Sequence, residues 1–149
     1  MNLESNMPIQ PKKHRAACFF ALWAMASLLI VLIFIASWAP DSRMAAQPWV
    51  PGWLAKWADR SPNIRTAVPF IPLAFLLTWG FKWRGIKYPA LGSLLMCGAC
   101  LGLAELGQLF LPARTADVAD LWWGAAGIAA GLGCAWVLRW WLLRKSEAL

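Results

Sequence analysis

The chain has 149 residues, of which 60% are hydrophobic and only 14% are charged, with a formal net charge of +7. This composition is too apolar and too poor in charge for a soluble domain of this length. The positive charge alone would suggest a nucleic-acid partner, but the basic residues flank apolar runs and accompany no nucleic-acid-binding motif. We therefore expect a membrane protein that contacts membrane lipid and has no nucleic-acid partner.

The N-terminal segment, residues 1–15, is polar and ends in a basic group, so we expect a disordered basic tail. The next run, residues 16–38, is apolar and longer than the about 20 residues that cross a bilayer. It is also longer than the apolar region of a signal peptide. We therefore predict an uncleaved first span, with Trp38 at the membrane interface and Pro40 as its stop.

A tryptophan-rich loop, residues 41–65, follows the first span. Trp49, Trp53 and Trp57 recur every four positions and would form one stripe on a helix. The pattern predicts a short amphipathic helix in the head-group region, the depth that tryptophan prefers. An alternative is an aromatic platform that contacts a sugar or a lipid head group.

The second apolar run, residues 66–81, is short and contains Pro69 and Pro72. Because proline interrupts the hydrogen bonding of a helix, we predict a kinked membrane span. A re-entrant segment that does not fully cross is the alternative. Residues 82–87 then form a tight basic turn.

Two further spans are predicted at residues 89–111 and 121–143. Both are rich in small residues, which allow helices to approach closely in a membrane. Gly127 and Gly131 form a G-x-x-x-G pair in the fourth span. This pair predicts close packing within the chain, and the alternative is a homo-oligomer that forms through the two glycines.

The distribution of basic residues predicts the orientation of the chain. Nine of them lie in the N-terminal tail, the central turn and the C-terminal end, and five lie in the other two loops. This bias favours a four-span domain, residues 16–145, with both termini in the cytoplasm and a short tail, residues 146–149. We therefore predict an all-α, multi-pass protein of the bacterial cytoplasmic (inner) membrane, with its tryptophan-rich loop on the outer face.

The four cysteines all lie within apolar runs. Cys97 and Cys100 form a C-x-x-C pair, which in a soluble protein would suggest redox or metal chemistry. In a membrane helix a thiolate is costly, so we interpret both as small buried residues. The only histidine, His14, lies in the tail, and we expect no metal site and no cofactor.

A polar segment, residues 104–127, joins the third and fourth runs. Pro112 predicts that the third helix ends near Leu111. Asp117 precedes the next apolar run and suits the cap of a helix, and Asp120 suits the first turn of that helix.

Glu105 and Gln108 are three residues apart and would share one face of the third helix. A carboxylate inside a span costs about 2.5 to 3.5 kcal/mol at the helix centre. Glu105 should therefore be paired, be protonated or face a wet cavity, with Arg114, Arg60 or Arg65 as its partner. These residues form either a polar lock, meaning a set of polar contacts that holds the third and fourth spans together as a hairpin, or a binding site.

This segment resembles the signature of the VanZ-like membrane proteins, a family named for a teicoplanin-resistance protein. The residues that carry the resemblance are Glu105, Gln108, Leu111, Pro112, Arg114, Asp117, Asp120 and Gly127. The family usually has asparagine at the position of Gly124, and often an Asp-Lys-x-x-His pattern before its second span, where this chain has Asp59 and Arg60 without histidine. The resemblance implies a small polytopic membrane protein but no settled reaction.

Three functions fit these observations. The first is binding at the outer face of a lipid, a lipid-linked intermediate or a glycopeptide antibiotic, in cell-envelope physiology or antibiotic resistance. Arg60, Arg65 and Arg114 would then hold a phosphate or carboxylate, since arginine binds such groups in a bidentate way. The side chains of Trp53 and Trp57 would cover the apolar or sugar part of the ligand.

The second function is a hydrolase or transferase that acts on a lipid-linked phosphate. Glu105 or Asp120 would act as general base and Arg114 would stabilise the oxyanion. The third is an accessory subunit in envelope or exopolysaccharide assembly. Binding is the favoured interpretation, because no nucleophile lies beside a base in the sequence and no catalytic residue can be assigned.

Overall fold

The computed structural model describes residues 12–112 and 117–147, and all secondary structure in this part of the chain is helical. The α-helices are α1 (Lys12–Ser37), α2 (Gly52–Arg60), α3 (Pro62–Ala67), α4 (Phe70–Trp83), α5 (Pro89–Gln108) and α6 (Val118–Glu147). A short 3₁₀ helix, Met44–Ala46, lies between α1 and α2. Four stretches, in α1, in α3 with α4, in α5 and in α6, are long and apolar enough to cross a membrane. The predicted all-α, four-span fold class is thus confirmed.

The helix ends differ from the predicted boundaries by a few residues. α1 begins at Lys12, within the segment that we predicted as a disordered tail, and residues 1–11 lie outside the described residues. α5 ends at Gln108, before the proline that we expected to end it. α6 continues to Glu147, because its last turns are still rich in leucine and other good helix formers.

The second span is a broken helix. α3 ends at Ala67 and α4 begins at Phe70, with Pro69 at the break because it has no N–H to continue the helix. Pro72 lies in the first turn of α4, where a missing N–H is tolerated. The helix is interrupted at a predicted proline, and the stretch Pro62–Trp83 has 22 residues, the length of a full span.

The predicted basic turn joins α4 to α5 through a glycine. Gly85 has a φ of 72°, a left-handed conformation that favours glycine. Its N–H donates to the Lys82 carbonyl (3.0 Å), and the Ile86 N–H donates to the Phe81 carbonyl (3.1 Å). These two bonds form a Schellman motif, which ends α4 and reverses the chain.

α4 is the central helix of the bundle and packs against α1, α5 and α6. Leu73 and Ala74 on α4 are fully buried. The Ala74 carbonyl accepts a hydrogen bond from the Ser93 hydroxyl of α5 (2.9 Å), so the polar serine is satisfied inside the bundle. Cys97 and Cys100 are buried free cysteines beside it, as the apolar interpretation of this pair requires.

The two glycines of the G-x-x-x-G pair allow α6 to touch the backbone of the second span. A Cβ atom at Gly127 would overlap the Ala67 carbonyl oxygen, and one at Gly131 would overlap the Ile71 carbonyl oxygen. The two contacts are four residues apart on α6 and also four residues apart on the second span, and the residue numbers rise together. α6 therefore runs parallel to α3 and α4. The glycine pair is therefore covered within the chain, as the packing interpretation requires.

We expect Gly127→Ala to lower stability, because its new methyl group would meet backbone oxygen that cannot rotate away. Overpacking of this kind costs about 1 to 3 kcal/mol. Gly133→Ala is the matched control, because no atom lies within 4 Å of its Cβ position. Thermal unfolding in detergent should show a lower midpoint for Gly127→Ala alone, and equal midpoints for both variants would contradict the close approach.

Candidate functional site

A cavity of about 80 Å³ lies where α1 and α5 end, where α3 meets α4 and where α6 begins. We call this the cavity end of the bundle. Polar side chains from all four spans line the cavity together with apolar ones. The polar ones are Ser37, Arg65, Thr66, Glu105, Gln108 and Asp120. The volume is sufficient for several water molecules or for one small polar group.

One side of the cavity is formed by the third span. Glu105 is 8% exposed and Gln108 is 4% exposed, so both are buried polar residues. The Gln108 Nε2 group donates to the Ser37 hydroxyl of α1 (3.0 Å) and to Glu105 Oε1 (3.3 Å). The two residues thus share one helix face, as predicted, and they link α5 to the end of α1.

The opposite side of the cavity is formed by α3 and α6. The Thr66 hydroxyl donates to Asp120 Oδ1 at 2.7 Å, across 54 positions of sequence. Asp120 lies in the first turn of α6, and Asp117 caps that helix by accepting the Ala119 N–H (2.9 Å). The predicted capping arrangement is therefore present, and Asp120 also holds α3 against α6.

Arg65 connects the cavity to the tryptophan-rich loop. Its guanidinium donates to the Ser42 carbonyl (3.0 Å) and lies 3.7 Å from Asp59 Oδ1. Asp59 accepts the backbone N–H groups of Met44 (2.6 Å) and Ala45 (3.0 Å). These two hydrogen bonds, with a smaller contribution from the charge of Arg65, lower the pKa of Asp59. These contacts fix the loop beside the cavity, and the Met44 side of the loop lines the cavity.

Trp38 lies at the end of α1 and packs against α5 at the cavity end. Its indole N–H donates to the Ala104 carbonyl (3.3 Å). A Cβ atom at Gly107 would overlap the indole, so the glycine is what allows the ring to lie against α5. The ring is still 46% exposed, as expected for an aromatic residue at the membrane interface.

The structure separates the predicted site residues into groups. Four of them line the cavity, namely Arg65, Glu105, Gln108 and Asp120. Asp117 lies beside the cavity as a helix cap. Three others are exposed on α2 and do not line the cavity, namely Arg60, Trp53 and Trp57. Arg114 lies outside the described residues.

Two polar residues of the cavity were not predicted from sequence, Ser37 and Thr66. Each is a small polar residue at one end of an apolar run, and this position in the sequence is the signal that could have indicated them. Small hydroxyl residues are common at helix ends, so this signal could not identify their partners. Only the arrangement of the helices brings Ser37 to Gln108 and Thr66 to Asp120.

The chemistry available in the cavity is hydrogen bonding and charge pairing. Its described lining combines the cationic donor Arg65 with carboxyl groups and neutral polar groups, and it contains no histidine or cysteine. Among the residues that the structure describes, no group of three or more histidine, cysteine or acidic side chains could hold a metal ion. The arrangement suits recognition of a polar group that both donates and accepts hydrogen bonds.

Comparison with known proteins links the whole four-span region to one family. A model of the VanZ/LLP1 family matches residues 19–139, from the first turns of α1 to the last turns of α6. No curated protein and no solved structure matches the chain.

We expect Thr66→Val to destabilise the protein, because it removes the donor to Asp120 while nearly preserving side-chain volume. A hydrogen bond to a charged group contributes about 1.5 to 3 kcal/mol. Thr66→Ser, which keeps the hydroxyl, is the matched control and should retain most of the stability. Thermal unfolding of both variants, with and without Asp120→Ala, measures the coupling, and independent effects of Thr66→Val and Asp120→Ala would contradict the bond.

The tryptophan-rich loop should loosen in acid. The folded pKa of Asp59 lies below its unfolded value of about 3.9, so its contribution to stability is present above that pH and is lost as the pH falls further. We expect protection of the Met44 and Ala45 amides from hydrogen exchange, once corrected for the intrinsic exchange rate, to fall below about pH 4. Asp59→Asn should remove this pH dependence, and unchanged dependence in that variant would assign it to another group.

Proposed function

The chain belongs to the VanZ/LLP1 family, and from this premise we propose that it binds the polar head of an amphiphilic ligand in the polar cavity. The ligand class is a phospholipid, a lipid-linked envelope intermediate or a glycopeptide antibiotic. One observation carries the proposal: all four spans contribute polar side chains to a single cavity at one end of the bundle.

The lining explains why a head group suits this cavity. Polar groups in a membrane span are costly unless they are satisfied, and these surround a space larger than one water molecule. Arg65 offers a guanidinium to a phosphate or carboxylate, while Glu105 and Asp120 offer acceptors to hydroxyl or amine groups. A ligand with both kinds of group would match the donors and acceptors that line the cavity.

The surface beside the cavity suits the remainder of such a ligand. Trp53 and Trp57 lie one turn apart on α2 and are 75% and 39% exposed. Aromatic side chains at this depth pack against acyl chains or sugar rings. Arg60, also exposed on α2, adds a cation next to them, and Arg114 belongs to the chain segment that precedes α6.

The proposed location is the outer face of the bacterial inner membrane. The basic residues are concentrated at the end of the bundle opposite the cavity, which favours a cytoplasmic position for that end. The cavity end would then face the periplasm or the cell exterior, where envelope intermediates and glycopeptides are encountered. A role in envelope physiology or in teicoplanin tolerance follows from this orientation and from the family resemblance.

Binding is preferred to turnover because the two cavity hydroxyls already form hydrogen bonds with other side chains of the protein. The Ser37 hydroxyl accepts a bond from Gln108, and the Thr66 hydroxyl donates to Asp120, where it links two helices. A hydrolase or transferase would instead require Glu105 or Asp120 to act as general base on a water or a substrate hydroxyl. An accessory subunit of an assembly would require no small ligand at all.

We expect full-length protein in detergent to gain thermal stability with one of three ligands: teicoplanin, a lipid-linked peptidoglycan precursor or a phospholipid. Saturation at about 100 times the dissociation constant would add about 2.7 kcal/mol. Ala36→Leu should abolish this gain, because position 36 lines the cavity and the larger side chain would fill it. Ala24→Leu, on the exposed part of the same helix, is the matched control.

The three possible functions give different results in this assay. Stabilisation that Ala36→Leu removes and Ala24→Leu keeps supports the binding site. Conversion of the ligand to a product, detected by mass spectrometry, would replace binding with turnover. Absence of stabilisation by every ligand would leave the polar residues as a lock and favour the accessory role.

A further inference from the structure

The end of the bundle opposite the cavity carries basic side chains that rest on aromatic rings. We call it the basic end. It comprises the start of α1, the turn between α4 and α5, and the last turns of α6. Five cation–π pairs occur there: Lys82 with Trp79 (4.6 Å), Arg84 with Trp23 (5.7 Å), Lys87 with Tyr88 (5.2 Å), Arg144 with Trp140 (3.8 Å) and Lys145 with Trp141 (5.5 Å).

Helix packing places these pairs at one membrane level. α6 runs parallel to the second span in a constant register, so the end of α6 lies at the same level as the end of α4. The start of α1 joins them, because the Trp23 ring lies 5.5 Å from the Phe81 ring. Gly80 allows this contact, since its Cβ position is already 3.3 Å from the Trp23 ring.

The charges of the described side chains are segregated between the two ends. Six exposed cations lie at the basic end, namely Lys82, Arg84, Lys87, Arg139, Arg144 and Lys145. The acidic side chains that the structure describes all lie toward the cavity end, namely Asp41, Asp59, Glu105, Asp117 and Asp120. No cation of the basic end forms a salt bridge with a described side chain.

These cations are therefore available to an anionic partner outside the protein. The indole and phenol rings beneath them prefer the head-group depth of a bilayer, and each cation–π contact holds its charge at that depth. The phosphate of an anionic lipid occupies the same depth. Nucleic acid or a soluble acidic protein would not account for the exposed apolar rings, such as Trp83 and Trp141, among the cations.

We propose that the basic end is a binding site for the head groups of anionic phospholipids, centred on Lys82 and Arg84. The Schellman turn at Gly85 fixes the backbone between α4 and α5, and the rings of Trp79 and Trp23 fix the direction of the two cations. The two charges thereby face one leaflet together, which favours a head group with a net negative charge over the zwitterionic head group of phosphatidylcholine.

The test uses full-length protein in nanodiscs of mixed phosphatidylglycerol and phosphatidylcholine, with retained lipids counted by native mass spectrometry. We expect wild-type protein to enrich phosphatidylglycerol, and Lys82→Gln with Arg84→Gln to reduce that enrichment at least fivefold. The matched control is Arg43→Gln with Lys56→Gln, which removes the same charge at the cavity end. A charge-preserving variant, Lys82→Arg with Arg84→Lys, should retain most of the enrichment.

Each result bears on the proposal. Equal retention of the two lipids by wild-type protein would overturn it, as would unchanged enrichment in the glutamine variant or equal loss in the control. If the glutamine variant does not fold, the enrichment by wild-type protein is measured in about 0.5 M salt. Salt screens an exposed charge site but not an apolar preference. Enrichment that falls in salt supports the proposal, and enrichment that does not change overturns it. Ala36→Leu should leave the enrichment intact, which separates this site from the cavity.

Discussion

The contact of α6 with the backbone of the second span is the constraint on which the other features depend. In a bilayer, helices gain little from the hydrophobic effect when they associate, so close packing of small residues must hold them together. Gly127 and Gly131 provide that packing against the Ala67 and Ile71 carbonyls. At the start of α6, the Thr66 hydroxyl donates to Asp120 and closes the cavity on that side.

The break at Pro69 divides the second span into α3 and α4. α3 lies before the break and packs against α6, and its residues Arg65 and Thr66 line the cavity. The same region is tied to the preceding loop, because Arg65 and Asp59 hold the 3₁₀ helix above it. The cavity is thus bounded both by the spans and by the loop between the first and second spans.

The two ends of the bundle differ in how their polar groups are used. At the cavity end, buried Gln108 is satisfied by Ser37 and Glu105, and Asp120 is satisfied by Thr66. At the basic end, cations such as Lys82 rest on rings and form no described salt bridge. The polar groups of the cavity end therefore bond mainly to one another, whereas the cations of the basic end face outward.

Several features could be predicted from the sequence because they depend on local chemistry. Hydropathy and length identified four spans, Pro69 identified the interruption of the second span, and Asp117 identified the start of α6, since each acts within one or two turns of the chain. The tertiary structure alone decided which polar residues meet. Ser37 and Gln108 are 71 residues apart, and their contact depends on the rotation and register of separate helices, which a single helix pattern does not encode. For the same reason, only the packed structure shows that Gly127 and Gly131 contact the second span.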